Sequence, residues 1–268
     1  MKRISVMILV VLLLSLLMSA CQPAAQAESI SGVEDLEGKT VGAQIGTTGA
    51  MEIEKIPGAT LRTYDTYDLA FLDLANGQID GVVADYPTAR DFVARNDDKL
   101  MTVGEVFTDE SYGIAICNDN TELQAAVNEG LAAVKANGTL AEIEEKWLAN
   151  SGEGDFTVEK FEGMGEGQQY QIATDAVFPP FETVDETTQE LVGFDMDLFR
   201  AIAKESNINF QFVNVAWDPL LAGVASCQFD AAISGMTITD ERKEQFLFSD
   251  PYTNAGQIVV INKANAPQ

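Results

Sequence analysis

From Lys39 onward, short apolar runs alternate with segments whose apolar positions recur at helical spacing. KTVGAQIG (39–46), ATLRTYD (59–65), IDGVVAD (79–85) and LMTVGEVF (100–107) read as strands. TTGAMEIEKI (47–56), YDLAFLDLAN (67–76) and YPTARDFVARN (86–96) read as the helices between them. SYGIAIC (111–117) is a further strand. It precedes two helices, one with Leu123, Val127 and Leu131 on one face and one with Leu140, Ile143 and Trp147. The pattern breaks at 151–167, where five glycines among acidic residues mark a linker. Alternation then resumes through YQIATDA, LVGFDMDLFRAIAKES, INFQFVNV, WDPLLAGVAS, FDAAISG and GQIVVIN. Strands interleaved with amphipathic helices predict an α/β fold, with mixed sheets covered on both faces. GQIDGVVAD and CQFDAAISG occupy like positions in the two sets, so two lobes of similar design are expected.

The first residues follow a different rule. Lys2 and Arg3 precede an apolar run from Ile4 to Met18, too short for a comfortable membrane span, and small residues then lead into Cys21. This reads as a secretory signal over 1–20, with 21–33 as a tether. Its ending resembles the lipobox of bacterial lipoproteins, which implies a lipid anchor on Cys21 at the outer face of the cell membrane. The net charge of −26 is spread along the whole chain, which disfavours nucleic acid and anionic head groups as partners. With Cys21 lipidated, Cys117 and Cys227 remain as an even pair in an oxidising compartment. The chain has no histidine, so the commonest general base and the commonest zinc ligand are both missing. No metal, cofactor or catalytic group is expected.

Four sets of residues carry candidate chemistry. TITDERKEQF reads as a helix start with Thr239 as N-cap and Arg242 in the first turn. A cation there opposes the helix dipole, which makes sense if an anion is held between them; the alternative is a surface ion pair with Asp250. The GTTG turn (46–49) joins a strand to a helix and offers a second anion cradle, without the Lys of a P-loop. Asp85 and Asp175 each follow a strand, where ligands collect in open α/β sheets; either could equally cap the next turn. Phe178 and Trp217 sit at strand-to-helix transitions, where aromatic rings could line a cleft, while Phe181 reads as core.

The FPPFE loop, VGFDMDLFRAIAKE, GMTITDERKEQFLFSDPY, VGAQIGTTG and GTLAEIEEKW together resemble the type II solute-binding proteins of amino-acid ABC importers. The resemblance covers most of 34–150 and 168–262. It implies an extracytoplasmic binding protein, not an enzyme, that delivers a polar amino acid to a membrane permease. By resemblance, Arg242, Thr237 and Thr47 take the α-carboxylate, and Asp85 takes the α-ammonium with an acceptor at Ser234 or Gly235. Phe178 and Trp217 then sandwich the side chain, and Asp175 and Gln44 reach its far end. Arginine or another basic amino acid such as lysine fits this set, then glutamine. A dicarboxylate does not, because no second cation accompanies the set. The family's strand pairing also sets Cys117 beside Cys227 and implies a disulfide. A cyclodehydratase-like enzyme on the same fold and a sensor module of a membrane receptor are the competing readings.

The family's halves stand here in reverse order. The expected division is lobe 2 at 34–110, lobe 1 at 111–150 and 168–262, and a linker at 151–167 joining the family's old termini. This implies a circularly permuted monomer or a swapped dimer. Permutation is expected to cut one interlobe crossing, leave the one near 110–113, and move the tether to the hinge.

Overall fold

The computed structural model describes residues 29–150 and 165–267. The proposed signal, Cys21 with its expected lipid anchor, and nearly all of the linker lie outside the described residues. Lobe 2 is built on a five-stranded sheet in the order Thr60–Tyr64, Thr40–Gln44, Gly81–Asp85, Gln257–Asn262, Leu100–Val103. The first three strands are parallel, and Gln257–Asn262 runs antiparallel to both its neighbours. Gly81–Asp85 is buried at every position, which is why GVVAD reads as a continuous apolar run. Its side chains alternate between two cores. Val82 and Ala84 join Tyr67, Phe71, Leu74 and Phe92 from helices Tyr67–Ala75 and Tyr86–Arg95. Val83 faces Ala50 and Ile53 of helix Thr48–Glu54, together with Ile30 and Leu36.

Lobe 1 carries a second five-stranded mixed sheet: Ile208–Asn214, Glu166–Thr174, Ala231–Ala232, Ala115–Ile116, Leu247–Phe248. One face is covered by helices Thr121–Ala136, Thr139–Glu144 and Phe194–Glu205, which bury Leu123, Val127, Leu131, Ile143 and Phe199. The other face is covered by Trp217–Ala225 with Phe246 and Phe248. Trp147 is only partly buried, in a π-turn at Glu145–Ala149, and its indole donates to Asp197 at 2.8 Å.

Two expectations about the chain path are corrected. Gln257–Asn262, assigned to lobe 1 by the boundary at 262, pairs instead inside the lobe 2 sheet. Its unbroken apolar run IVVI is what a strand between two others in that sheet requires. The chain therefore crosses between lobes twice, and the crossing segments Glu110–Tyr112 and Thr253–Ala255 pair antiparallel as a two-stranded ribbon. No crossing is cut near residue 262, and the seam between the ends of the described chain falls within lobe 2. There the Ile30 N–H donates to the Asn265 carbonyl at 3.2 Å, and Ile30 is buried in the same core cluster as Val41 and Val103. The described end of the proposed tether therefore adjoins this core, not the hinge.

Ala231–Ala232 runs antiparallel to Ala115–Ile116, which brings Cys117 and Cys227 to a Cα separation of 5.1 Å and a disulfide. The bridge spans 110 residues of chain. Loss of a native disulfide commonly costs about 2–5 kcal/mol, so this staple is a substantial fraction of an ordinary domain's stability.

Candidate ligand-binding cleft

The strand ends of both lobes converge on one cavity. Gln44 and Asp85 are the last residues of their strands in lobe 2, and Asp175 follows directly on Thr174 in lobe 1. Gly46 turns with φ +70°, and Thr47 caps the next helix by accepting from the Ala50 N–H at 3.3 Å. Together with Thr48, Phe178, Trp217, Ser234, Gly235, Thr237 and Arg242 these residues line a space of about 340 Å³, its open mouth included. All ten residues singled out from the sequence are on this wall. Eight of them are buried, Gly235 is half-buried, and Phe178 is half-buried between Tyr67 and Phe181.

Arg242 is buried, and its guanidinium donates to the carbonyl of Thr237 at 2.8 Å and across the lobes to that of Gly46 at 3.1 Å. It does not pair with Asp250, which is exposed. The helix expected there is a single turn, Asp240–Lys243, so a macrodipole explains little. The Thr239 cap, which accepts from the Arg242 N–H at 3.1 Å, orients the side chain instead. The guanidinium carbon lies 5.5 Å from the centre of the Trp217 ring. A second bridge between lobes runs from the Gln44 amide to Asp175 Oδ2 at 3.2 Å. Gly235 has φ +50°, and a Cβ there would stand 2.6 Å from the Phe178 ring, so only glycine lets this aromatic wall approach.

The electrostatics are dominated by buried carboxyl groups. Burial pushes Asp85 up to about 7, with Glu110 adding to the shift, while the Gln257 amide at 3.0 Å partly offsets it. Burial likewise raises Asp175 to about 6. Arg242 is shifted downward by burial, and the charges of Asp85 and Glu110 oppose that shift. Below Ser234 and Gly235, Glu182 and Asp195 are fully buried side by side. Burial raises Asp195 to about 7 and holds Glu182 well above the ordinary carboxyl range, with the neighbouring Asp195 charge adding to it. The Ser234 hydroxyl donates to Glu182 at 2.7 Å and the Gly235 N–H donates to Asp195 at 2.7 Å. Both donors of that loop are thus turned away from the cavity.

Two residues at this site, Glu110 and Gln257, escaped the sequence reading, and Thr48 entered it only as part of the GTTG turn. Thr48, next to Thr47, donates its hydroxyl to Glu110 at 2.7 Å. Glu110 stands on a crossing strand, and Gln257 follows the other crossing and donates to Asp85. A lone Gln ahead of IVVI was the one available signal for Gln257. Glu110 lay in a polar stretch, TDES, with nothing to distinguish it. Among the described residues no cluster of potential metal ligands occurs, and no helix is long and apolar enough to cross a membrane.

A two-lobed α/β protein with a charged, aromatic-walled cavity at the facing strand ends has the form of a solute-binding protein. The sequence profile of the bacterial extracellular solute-binding proteins, family 3, matches residues 64–150 and 170–267, and the chain belongs to this family. Among curated relatives, the putative ABC transporter arginine-binding protein 2 of Escherichia coli is 42% identical over 129 residues, 46% of this chain and 53% of that protein. The probable histidine-binding protein of Neisseria gonorrhoeae is 40% identical over 97 residues, 36% of each chain. The chain thus spans about half or less of the length of these curated relatives. Among solved structures, the arginine-, lysine-, histidine-binding protein ArtJ of Geobacillus stearothermophilus is 44% identical over 32% of this chain and 36% of its own, with a TM-score of 0.31.

The raised carboxyl groups predict a pH dependence of stability. Carboxyls in an unfolded chain titrate near 4, whereas Asp85, Asp175, Asp195 and Glu182 hold their protons to higher pH when folded. Between about pH 4 and 7 the folded state binds more protons, so stability falls as pH rises through that window. The ligand-free protein is expected to melt several degrees higher at pH 5 than at pH 8, measured by calorimetry. The opposite order would contradict the assignment.

Proposed function

We propose that this chain is the extracytoplasmic binding component of an amino-acid ABC importer, and that its ligand is a basic L-amino acid, arginine first. The observation that carries the reading is the charge balance of the cavity wall. Asp85 and Asp175 face one guanidinium, that of Arg242, and Glu110 stands directly behind. A zwitterion satisfies Arg242 with its carboxylate and Asp85 with its ammonium, and leaves Asp175 with the Gln44 amide but no cation. A basic side chain supplies one, held between Phe178 and Trp217. Lysine and glutamine follow, the latter through an amide donor to Asp175 alone. The arginine- and histidine-binding relatives support a basic ligand for this chain as well. Arg242 and Asp85 come from different lobes, so lobe closure is the step that completes recognition.

The same reading includes a signal over 1–20, a lipid anchor on Cys21, and a permease in the same membrane as the partner. It also includes a circularly permuted monomer with 151–167 as the new connection. The bond between Ile30 and Asn265 supports permutation, since it closes the seam that a cut inside lobe 2 would leave. A dimeric mass in solution would instead favour two chains exchanging lobes.

A thermal-shift screen over the twenty amino acids is expected to give its largest shift with L-arginine. Asp175→Ala is expected to weaken arginine at least tenfold while changing glutamine by less than threefold. Glutamate emerging as the tightest ligand would overturn the reading. Acidification provides a second check. Asp85 holds a proton up to about pH 7 in the empty cleft, and that proton must leave before an ammonium can bind. The arginine Kd is therefore expected to rise at least tenfold from pH 8 to pH 5. Calorimetry in two buffers of different ionisation enthalpy should register proton release near pH 6.

A further inference from the structure

The hinge carries a carboxylate that belongs to no ion pair among the described residues and is nearly buried. Glu110 begins the crossing strand Glu110–Tyr112. One of its oxygens, Oε2, accepts the hydroxyl of Thr48 from lobe 2 at 2.7 Å and that of Thr237 from lobe 1 at 2.8 Å. The other, Oε1, accepts from Thr108 at 2.7 Å. Both Thr48 and Thr237 line the cavity. A single carboxylate oxygen therefore ties one wall of each lobe to the same point on the hinge.

The chemistry of that oxygen dictates the polarity of the walls. Both threonine hydroxyls donate to it, so both hydroxyl hydrogens are committed there. Thr48 and Thr237 are left with lone pairs alone for everything else. Thr48 spends one on the Gln257 amide at 3.2 Å, and the same amide donates to Asp85 Oδ1 at 3.0 Å. Gln257 follows the second crossing strand, and its own N–H donates to Thr108 at 2.8 Å. Both crossings thus feed one chain of bonds, Thr237–Glu110–Thr48–Gln257–Asp85. The Thr237 hydroxyl, with its hydrogen committed, can receive a ligand ammonium but cannot donate to a ligand carboxylate, which departs from the carboxylate role that the resemblance implied for it.

We infer that Glu110 is a closure-setting positioning residue. It locks the two lobes together through Thr48 and Thr237 and turns both hydroxyls into acceptors beside Asp85, so that a ligand's ammonium end, and not its carboxylate, is received there. The inference rests on the amino-acid reading above and deepens it. Because Thr48 and Thr237 stand on different lobes, their joint attachment to one oxygen belongs to the closed arrangement. Glu110 stabilises that arrangement without touching the ligand.

The test uses the full chain and the variant Glu110→Gln, which keeps volume but replaces one acceptor oxygen with a donor. L-Arginine is expected to bind the variant at least tenfold more weakly, chiefly through faster dissociation in stopped-flow. Its ligand-dependent compaction in small-angle scattering should shrink, while the melting temperature of the ligand-free protein stays within a few degrees of wild type. A merely structural role would lower that melting temperature and leave the compaction of the folded fraction unchanged, which would overturn the inference. Unchanged affinity and compaction would also overturn it and leave the amino-acid reading standing. Wild-type protein that binds none of the twenty amino acids would instead remove the reading beneath it. Should Glu110→Gln fail to fold, Thr48→Val takes its place. It removes one of the two bonds while keeping the carboxylate, and wild-type dissociation in that variant would count against the latch.

Discussion

The structure depends on an unbalanced set of charges enclosed between two lobes. Asp85, Asp175 and Glu110 are buried in or behind a cavity wall that carries a single guanidinium, that of Arg242. Burying a carboxylate without a cation is costly, and the upward shifts of Asp85 and Asp175 are the expression of that cost. A protein selected for stability alone would not keep them. They fit the proposed ligand, which has two cationic groups and one anionic group. The bonds between lobes, Arg242 to Gly46 and Gln44 to Asp175, show how closely the two halves of the wall approach when the cleft is shut.

The rest of the fold serves to hold those groups still. Each sheet is covered on both faces, so the strand ends that carry Gln44, Asp85 and Asp175 are fixed by cores on either side. Under the lobe 1 wall, Glu182 and Asp195 engage the Ser234 hydroxyl and the Gly235 N–H. That leaves acceptors facing the place where an ammonium would sit. The two crossing strands pair as a ribbon between the lobes, and they contribute Glu110 at one crossing and, just beyond the other, Gln257.

Much of this was legible in the sequence because it follows from periodicity. GVVA and AAI are uninterrupted apolar runs because both faces are buried, and Leu123, Val127 and Leu131 repeat because a helix lays one face on a sheet. The wall residues were legible for another reason: they sit at strand ends or in stiff turns, where a polar or aromatic side chain has a restricted range of positions. Glu110 was not legible, because a carboxylate in a polar loop looks the same whether it is solvated or folded into a hinge. The path of the last strand was misread for a related reason. GQIVVIN fits a buried strand in either sheet, and only long-range pairing with Gly81–Asp85 assigns it to lobe 2. The single-turn helix at Asp240 shows the same limit, since a cap motif marks where a helix starts but not how far it runs.

The central claim is that the excess negative charge of the cleft selects its ligand. L-Arginine and L-citrulline have nearly the same shape and differ by one side-chain charge, so comparing their dissociation constants by calorimetry at pH 8 isolates that term. The account predicts arginine tighter by at least tenfold, with the difference collapsing in Asp175→Ala. Equal affinities for the two in the wild-type protein would contradict it.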